Sequence, residues 1–316
     1  MREMRTAFGE KLVELGRKND KIYVLDADLN TSTRTDLFRD EFPSRFIQFG
    51  IAEQNMFGFA GGMAATGLIP FPTTFSCFNT TRALDMVRTC ICYPNLNVKI
   101  PGCYAGISTG KAGATHQTVE DIGIMRMLPN MSVLSPADEI EMEQMMDAMM
   151  EYQGPVYLRL SKLALPIVSS GQAAFDWAPV ILRDGSDVLL CATGFMVHKC
   201  LIAAQELEKS GVSAAVLNIS AIKPFASEKL IRLAKICGCV VTAEDHSIFG
   251  GVGGLVSEVL GENHPVPIKR IGYKDKFIVS ASDEDLVATY HLGEADIAAA
   301  AKAVIGVKKK LQAGNG

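Results

Sequence analysis

Short apolar runs alternate with segments of helical periodicity, and this alternation constrains the fold more than any other feature of the chain. Residues 22–25 and 188–191 are apolar runs with the length of buried strands, whereas residues 6–17 repeat their apolar side chains at helical spacing. A chain in which strands and helices alternate forms a mostly parallel sheet with helices on both faces. The sequence therefore predicts an α/β fold.

The alternation is interrupted once, around residues 166–177, where Ser-Ser-Gly-Gln-Ala-Ala shows no clear period. A second series of strands and helices follows this interruption. We therefore expect two domains, residues 1–165 and 181–316, joined by a linker at residues 166–180. Each domain is expected to be a mostly parallel sheet flanked by helices.

Several elements of the first domain can be placed more closely. Small and apolar residues predict a buried helix at 52–66, and a second helix is expected at 75–92. Residues 98–100 are expected to form a strand. Pro136 is expected at the start of a helix that runs to about residue 151, because proline is tolerated in a first helical turn.

Composition and charge exclude several classes of protein. Hydrophobic residues make up 48% of the chain, and 31 basic against 35 acidic residues give a net charge of −4. A basic nucleic-acid-binding domain is therefore not expected. The weakly apolar stretch at 58–71 is shorter than the about 20 residues that a membrane span needs, so no membrane partner is expected either.

Features of the N-terminus and the cysteines indicate a compartment. The N-terminal MREMRTAFGEKL lacks the apolar core of a signal peptide. Eight cysteines are too few for a disulfide scaffold, and the pairs Cys90/Cys92 and Cys237/Cys239 do not have the C-x-x-C spacing of zinc or redox sites. We expect a cytoplasmic protein with reduced thiols.

The segment FGIAEQN at residues 49–55 is the most informative stretch, because it places Glu53 in the first turn of a helix. This carboxylate could simply complement the helix dipole, which is worth about 0.3–1 kcal/mol. The following residues, FGFAGGMA at 57–64, are apolar nearly all round, so the helix start is expected to be buried. A carboxyl group in apolar surroundings has a raised pKa and can share a proton near neutral pH. Glu53 is therefore an acid–base candidate.

Several ordered motifs resemble the transketolase family. Residues 45–78, which contain GIAEQ and end in F-x-x-F, are similar to the pyrimidine-binding domain of these thiamine-diphosphate-dependent enzymes, and GATHQ at 113–117 follows in the same order, before LPN and SPAD. EDHS at 244–247 and the segment 217–225 resemble the transketolase C-terminal domain. The resemblance covers almost the whole chain and implies both folds.

One family motif is missing. The diphosphate-binding domain of the family carries Gly-Asp-Gly, which holds the metal ion, and this sequence has no Gly-Asp-Gly. The resemblance therefore implies the C-terminal subunit of a split transketolase, with Mg²⁺ and the cofactor diphosphate held by an N-terminal partner subunit in an α2β2 assembly. The E1 β subunit of a 2-oxoacid dehydrogenase and a non-catalytic, partner-binding paralogue remain as alternatives.

The resemblance implies roles for individual residues near the cofactor. It places Glu53 against the aminopyrimidine ring of thiamine diphosphate, and Phe75 and Phe78 in the wall of the pyrimidine pocket. It places Asp28 near the thiazolium ring. His116 is expected beside the cofactor and the substrate carbonyl, where an imidazole can stabilise a developing oxyanion or move a proton. No metal ligand is expected on this chain.

The resemblance also implies a binding site for the sugar phosphate, formed by Arg5, Ser32 and Lys162, with His116 at the carbonyl end. Lys162 stands where transketolases usually have arginine, so the planar bidentate fork is missing. Tyr104 replaces a histidine that many transketolases have, and Ala112 replaces an acid that binds a donor hydroxyl. The donor is therefore expected to be unusual, for example apulose 4-phosphate.

A last motif lies in the second domain. The residues that follow His246, Gly-Gly-Val-Gly-Gly at 250–254, do not fit the dinucleotide-binding pattern G-x-G-x-x-G. We expect this segment to serve packing and subunit contact.

Overall fold

The computed structural model describes residues 2–169 and 174–314, which form two sheets covered by helices. The expected α/β class is confirmed. The strands of the first half are β1 (Ile22–Asp26), β2 (Phe46–Gln48), β3 (Ile69–Phe75), β4 (Lys99–Cys103), β5 (Ser132–Leu134) and β6 (Val156–Arg159). Those of the second half are β7 (Val180–Arg183), β8 (Val188–Ala192), β9 (Ala214–Asn218), β10 (Ala221–Lys223), β11 (Val240–Ser247) and β12 (Ile268–Tyr273).

The helices alternate with these strands. In the first half they are α1 (Met4–Lys18), α2 (Asn30–Thr33), α3 (Asp36–Glu41), α4 (Glu53–Ala65), α5 (Leu84–Met86), α6 (Asp121–Met127) and α7 (Glu139–Glu151). In the second half they are α8 (Met196–Lys209), α9 (Glu228–Cys237), α10 (Val252–Asn263), α11 (Asp283–Thr289) and α12 (Glu294–Gly314). Among the described residues, no helix has both the length and the apolar character needed to cross a membrane.

The first sheet has seven strands in the order β10-β5-β6-β4-β3-β1-β2. All neighbours run parallel except β10, which pairs antiparallel with β5. β10 comes from the second half of the chain and was not predicted. The Lys223 ammonium also donates to the carbonyl oxygens of Arg126, at 3.0 Å, and Leu128, which fixes β10 to the end of α6.

The second sheet has five strands in the order β12-β11-β8-β9-β7, parallel except for β7 against β9. β7 begins at the last residue of the predicted linker, and residues 170–173 of that linker lie outside the described residues. The domain boundaries themselves stay a prediction, because β10 crosses from one half of the chain to the sheet of the other.

Strand β3 is central in the first sheet, yet the sequence pattern did not predict it. Its segment IPFPTTF contains two prolines, which usually argue against a central strand. The Ile69 amide donates to the Lys21 carbonyl at 2.9 Å, so Pro70 and Pro72 point to the opposite side of the strand. On that side β4 pairs with β3 only from Thr74 onward, and no ladder hydrogen bond is lost.

Two predicted helix starts were wrong. Phe75 ends strand β3, and the helical segment begins after it and contains two π-helical stretches, Phe78–Arg82 and Val87–Cys92. Helix α7 begins at Glu139 rather than near Pro136, because Asp138 caps it by accepting a hydrogen bond from the Glu141 amide at 2.9 Å.

Candidate active site

Two predicted site residues, Asp28 and Phe75, and the neighbouring Tyr104 lie at the carboxyl ends of three adjacent parallel strands. Asp28 follows β1, Phe75 is the last residue of β3, and Tyr104 follows β4. The carboxyl edge of an open parallel sheet is where α/β proteins usually bind ligands. The strand order β4-β3-β1 brings these three chain segments side by side.

A cavity of about 330 Å³ opens at this edge. It is lined by Ala27, Asp28, Leu29, Ile51, Glu53, Phe78, Arg82, Thr115 and His116. Four of the predicted site residues therefore share one cavity, although they come from four different loops and helix starts. It falls within the range of about 300–1,000 Å³ that is usual for small-molecule sites.

Glu53 is the first residue of α4, and its side chain is buried, with 2% of its surface exposed. Both carboxylate oxygens accept from one guanidinium nitrogen of Arg82, at 3.2 and 3.4 Å. The helix dipole also favours a negative charge at this position. Arg82 was not predicted as a site residue, because the sequence gives no indication of which arginine reaches Glu53.

Phe78 and His116 line one side of the cavity, and Phe75 stacks on Phe78. The rings of Phe75 and Phe78 have centroids 6.1 Å apart and an interplanar angle of 14°. His116 lies edge-on to Phe78 at 5.4 Å. Phe75 reaches this cluster from the end of a strand, not from the helix that the sequence pattern indicated.

His116 is held by its own motif and by the second half of the chain. Its Nδ1 pairs with the Thr115 hydroxyl at 2.9 Å, which leaves Nε2 free of an intrachain hydrogen bond among the described residues. The side-chain Nε2 of Gln117 donates to the carbonyl oxygens of Gly110, at 3.0 Å, and Val279, at 3.2 Å. The segment that carries His116 is thereby fixed to the C-terminal half.

A second cluster contains the residues expected to bind the sugar phosphate. Arg5 donates to the Tyr104 hydroxyl at 2.7 Å and to the Ser32 carbonyl at 3.2 Å, and the Lys162 ammonium lies 5.7 Å from the centre of the Tyr104 ring. The Tyr104 ring is 4.4 Å from that of Phe75, so the two clusters are continuous. Burial raises the pKa of Tyr104, and the positive charge of Arg5 acts in the opposite direction.

Asp26 supports the loop that carries Asp28, and sequence reasoning missed it. Its buried carboxylate accepts from the Leu29 amide at 2.7 Å and from Gln48 Nε2 at 3.1 Å, and burial raises its pKa. Gln48 Oε1 in turn accepts from the Asp28 amide at 2.8 Å. The sequence feature that could have identified Asp26 is its position as a carboxylate at the end of an apolar strand. A carboxylate buried there needs hydrogen bonds from other groups of the protein.

Arg159, at the end of β6, joins the two halves of the chain. It donates to Asp121 Oδ2 at 2.8 Å and to the Asp245 carbonyl at 2.7 Å. Tyr157 donates to the same Asp121 oxygen at 2.9 Å and contacts Ser76, the neighbour of Phe75. Burial acts to raise the pKa of Asp121, but the positive charge of Arg159, the neighbouring His246 and the hydrogen bonds from Arg159 and Tyr157 together outweigh it, so the pKa is lowered.

His246 and the glycine-rich segment pack between elements, as expected. The Gly123 amide donates to His246 Nε2 at 3.2 Å. The carboxylate of Glu244 accepts from the Val252 and Gly253 amides at 2.7 and 2.8 Å, which satisfies the start of α10. The expected subunit contact of this segment stays a prediction.

The comparison with known families decides the family of this chain. The family model described as "Transketolase, pyrimidine binding domain" matches residues 1–168, which contain every residue of the cavity. The chain belongs to the transketolase family. The model "Transketolase, C-terminal domain" matches residues 179–297.

Relatives of similar length carry transketolase names. A putative transketolase C-terminal section from Methanocaldococcus jannaschii is 43% identical over 93% of this chain and 94% of that protein. The 6-deoxy-6-sulfo-D-fructose transketolase subunit SqwH from Clostridium sp. strain MSTE9 is 40% identical, covering 87% and 85%. A subunit of the apulose-4-phosphate transketolase from Phocaeicola vulgatus is 34% identical, covering 93% and 94%. These names favour the split transketolase over the E1 β alternative.

A solved structure supports the same assignment. A split-gene transketolase, described as an inactive β4 tetramer, superposes with a TM-score of 0.89 at 42% identity and covers 97% of this chain and 99% of that one. The two transketolase domains and their order in this chain therefore match a chain of the split type.

Thiamine diphosphate is the cofactor of this family, and the cavity fits the pyrimidine end of it. An aromatic side chain can stack on a planar ring, and a carboxylate can accept a hydrogen bond at the edge of that ring; Phe78 and Glu53 present these two groups to one cavity. The buried carboxylate of Glu53 has a single charged partner, Arg82, among the described residues. The carboxylate of Glu53 and the ring of Phe78 on this chain therefore fit a planar nitrogen heterocycle.

Proposed function

We propose that this chain is the pyrimidine-binding subunit of a two-chain transketolase that transfers a two-carbon ketol unit from a ketose phosphate to an aldose phosphate. The observation that carries the proposal is the convergence of Asp28, Glu53, Phe78 and His116 on one cavity, in a chain of the transketolase family.

The residues in and next to the cavity have different roles in the proposed reaction. When bound, thiamine diphosphate supplies a thiazolium carbon that acts as a nucleophile toward the ketose carbonyl. Glu53 holds the pyrimidine ring and shares a proton with its ring nitrogen, and Phe75 and Phe78 flank the ring. Nε2 of His116 stabilises or protonates the carbonyl oxygen of the substrate. Asp28 lies on the thiazolium side.

The cluster beyond Phe75 binds the charged end of the sugar. Arg5 supplies the planar donor, Lys162 a point charge, and Ser32 a hydroxyl group. Tyr104 orients Arg5 through the 2.7 Å hydrogen bond between the phenol and the guanidinium. Lysine in place of the usual arginine gives less fixed phosphate geometry. The relatives named for apulose 4-phosphate and for a sulfonated fructose support a donor other than xylulose 5-phosphate.

A partner subunit completes the site in this proposal. The partner binds the diphosphate and Mg²⁺, since the sequence has no Gly-Asp-Gly. Ile51 lines the cavity and is 76% exposed, and Phe59, in the helix that follows, is 47% exposed. Exposed apolar side chains beside an open cavity are typical of a surface that a partner covers. The proposed assembly is an α2β2 heterotetramer that acts in the cytoplasm, in pentose phosphate metabolism.

The test is reconstitution. This chain is mixed with a chain that carries the Gly-Asp-Gly motif, thiamine diphosphate and Mg²⁺, and ketol transfer is measured with xylulose 5-phosphate, apulose 4-phosphate and 6-deoxy-6-sulfofructose as donors. We expect activity from the mixture and none from either chain alone. Substantial transfer by this chain without a partner would contradict the two-chain proposal.

Glu53→Gln tests the role of the cavity in the reconstituted enzyme. Glutamine keeps the shape but cannot share a proton, so exchange of the thiazolium C2 proton is expected to slow by at least about 100-fold, within the usual range for an acid–base group. Glu151→Gln, at the exposed end of α7, is the matched control and should leave exchange unchanged. Unchanged exchange in Glu53→Gln would remove Glu53 from the mechanism.

A further inference from the structure

Arg82 occupies the space between Glu53 and Phe78. Its Nη1 donates to both oxygens of the Glu53 carboxylate, at 3.2 and 3.4 Å, and its guanidinium carbon lies 4.7 Å from the centre of the Phe78 ring. A planar cation therefore lies against the aromatic ring and bonds the carboxylate at the same time. These are the two contacts that the proposed function assigns to the pyrimidine ring.

The π-helical stretch after β3 produces this arrangement. It spans Phe78–Arg82 and is closed by a hydrogen bond of 3.0 Å from the Ala83 amide to the Phe78 carbonyl, five residues back. Single π-helical turns of this kind occur frequently at functional sites. Phe78 and Arg82 lie at opposite ends of the turn, and their side chains stack over the cavity.

The contact holds a buried charge without fixing the arginine. Glu53 is 2% exposed, so its carboxylate needs a counter-ion, whereas half of the Arg82 side chain is exposed. One nitrogen shared between two oxygens lacks the two parallel hydrogen bonds of a bidentate pair, which is the stronger geometry. Arg82 can therefore leave toward solvent without crossing a packed core.

We propose that Arg82 is a positioning residue that takes the place of the pyrimidine ring in the cofactor-free chain and is displaced when thiamine diphosphate binds. This inference rests on the proposed function of the cavity. Until the cofactor arrives, Arg82 compensates the Glu53 charge and keeps the carboxylate oriented. The same contacts make Arg82 a competitor of the cofactor, so removing it strengthens cofactor binding.

The test uses Arg82→Met in the enzyme reconstituted with its partner subunit, with calorimetric measurement of the dissociation constant of thiamine diphosphate at fixed Mg²⁺. We expect the dissociation constant to fall at least fivefold. Arg88→Met, an exposed arginine on the same helical segment, is the matched control and should leave the constant unchanged. An unchanged or raised constant in Arg82→Met would overturn the proposal.

A second measurement on the isolated full chain examines the pair without cofactor or activity. Arg82→Met is expected to lower the urea midpoint of unfolding in the wild-type background and to have little effect in the Glu53→Gln background. Equal shifts in both backgrounds would also overturn the proposal. If Arg82→Met does not fold, Arg82→Gln supplies the same tests, since its amide carries no charge.

The proposed function can fail separately. If Glu53→Gln leaves thiazolium C2 proton exchange unchanged, the cavity is not the pyrimidine site, whatever Arg82→Met does to the urea midpoint. If Glu53→Gln abolishes exchange and Arg82→Met leaves the dissociation constant unchanged, the proposed function stands and the role of Arg82 is wrong.

Discussion

The carboxylate of Asp245 packs directly against the backbone of Gly106. A Cβ built on Gly106 would lie 1.7 Å from Asp245 Oδ2, and Gly106 has a φ of +64°. The same carboxylate accepts hydrogen bonds from the Ile107 amide at 3.3 Å and from the Tyr273 hydroxyl at 2.7 Å. The loop that leads from β4 toward His116 is therefore held by a residue of the second sheet.

This contact predicts that Gly106→Ala is strongly destabilising. Positive φ costs about 1–2 kcal/mol for a non-glycine residue, and the clash adds about 1–3 kcal/mol. Gly67→Ala, at φ +89° with no atom within 4 Å of the added Cβ, carries the backbone cost without the clash. Urea unfolding of both variants should show the larger loss in Gly106→Ala, and equal losses would contradict the contact.

Removal of the Arg159 guanidinium, which bonds both halves of the chain, should lower the free energy of unfolding strongly. Arg159→Met leaves the buried carboxylate of Asp121 without its cation, which typically costs about 3–5 kcal/mol of unfolding free energy. Lys209→Met, which breaks an exposed pair with Glu206, is the comparison and should cost less than about 1 kcal/mol. Denaturant titrations measure both values, and a loss in Arg159→Met no larger than that in Lys209→Met would disprove the prediction.

Asp245 should give the chain a stability that depends on pH. Burial raises the pKa of Asp245 to about 6. A carboxyl group with a raised pKa binds its proton more tightly in the folded state, so its contribution to stability is greatest at low pH and is lost as the pH rises from about 4 to 6. Asp121 has a lowered pKa and contributes with the opposite sign.

Asp245→Asn isolates this effect from that of Asp121. The amide still accepts hydrogen bonds but does not titrate, so the unfolding free energy of the variant relative to the wild type should rise between pH 4 and 7, by about 1–3 kcal/mol. Thermal or urea unfolding across this range measures the difference. A difference that stays constant with pH would show that Asp245 does not titrate in the folded chain.

Because of Ala112, the kcat/KM of the enzyme should depend little on one hydroxyl group of the ketose phosphate that donates the ketol unit. It is an exposed residue at the end of the 3-10 helical segment Ile107–Ala112, which the C-terminal half holds through a hydrogen bond from the Ser280 hydroxyl to the Lys111 carbonyl. A site built to bind a hydroxyl rejects analogues that lack it, whereas an apolar position discriminates by only about 1–3 kcal/mol. Ala112→Asp should therefore shift kcat/KM toward donors that carry the hydroxyl.

The control for this donor preference is Lys111→Gln, which changes the neighbouring side chain without adding a carboxylate. The reconstituted enzyme is assayed with xylulose 5-phosphate and with alternative ketose phosphates. A preference ratio that is the same in the wild type and in Ala112→Asp would mean that residue 112 does not face the donor.

The sequence was sufficient for the fold class and for four of the residues that line the cavity, Asp28, Glu53, Phe78 and His116. Periodicity predicted the α/β alternation, and ordered motifs identified Glu53 and His116. It was insufficient where a contact depends on distant partners. β3 was missed because its prolines are harmless only at one side of an incompletely paired strand, and Arg82 was missed because a π-helical turn, invisible in the pattern, brings it to Glu53.

The origin of β10 has a consequence for folding during synthesis. The first 160 residues contain six strands of the first sheet, but the edge of β5 stays unpaired until Ala221–Lys223 has left the ribosome. An open strand edge can pair with another chain. A nascent or truncated N-terminal half is thus expected to aggregate when it is expressed alone. Co-expression of the two halves as separate chains should yield soluble material.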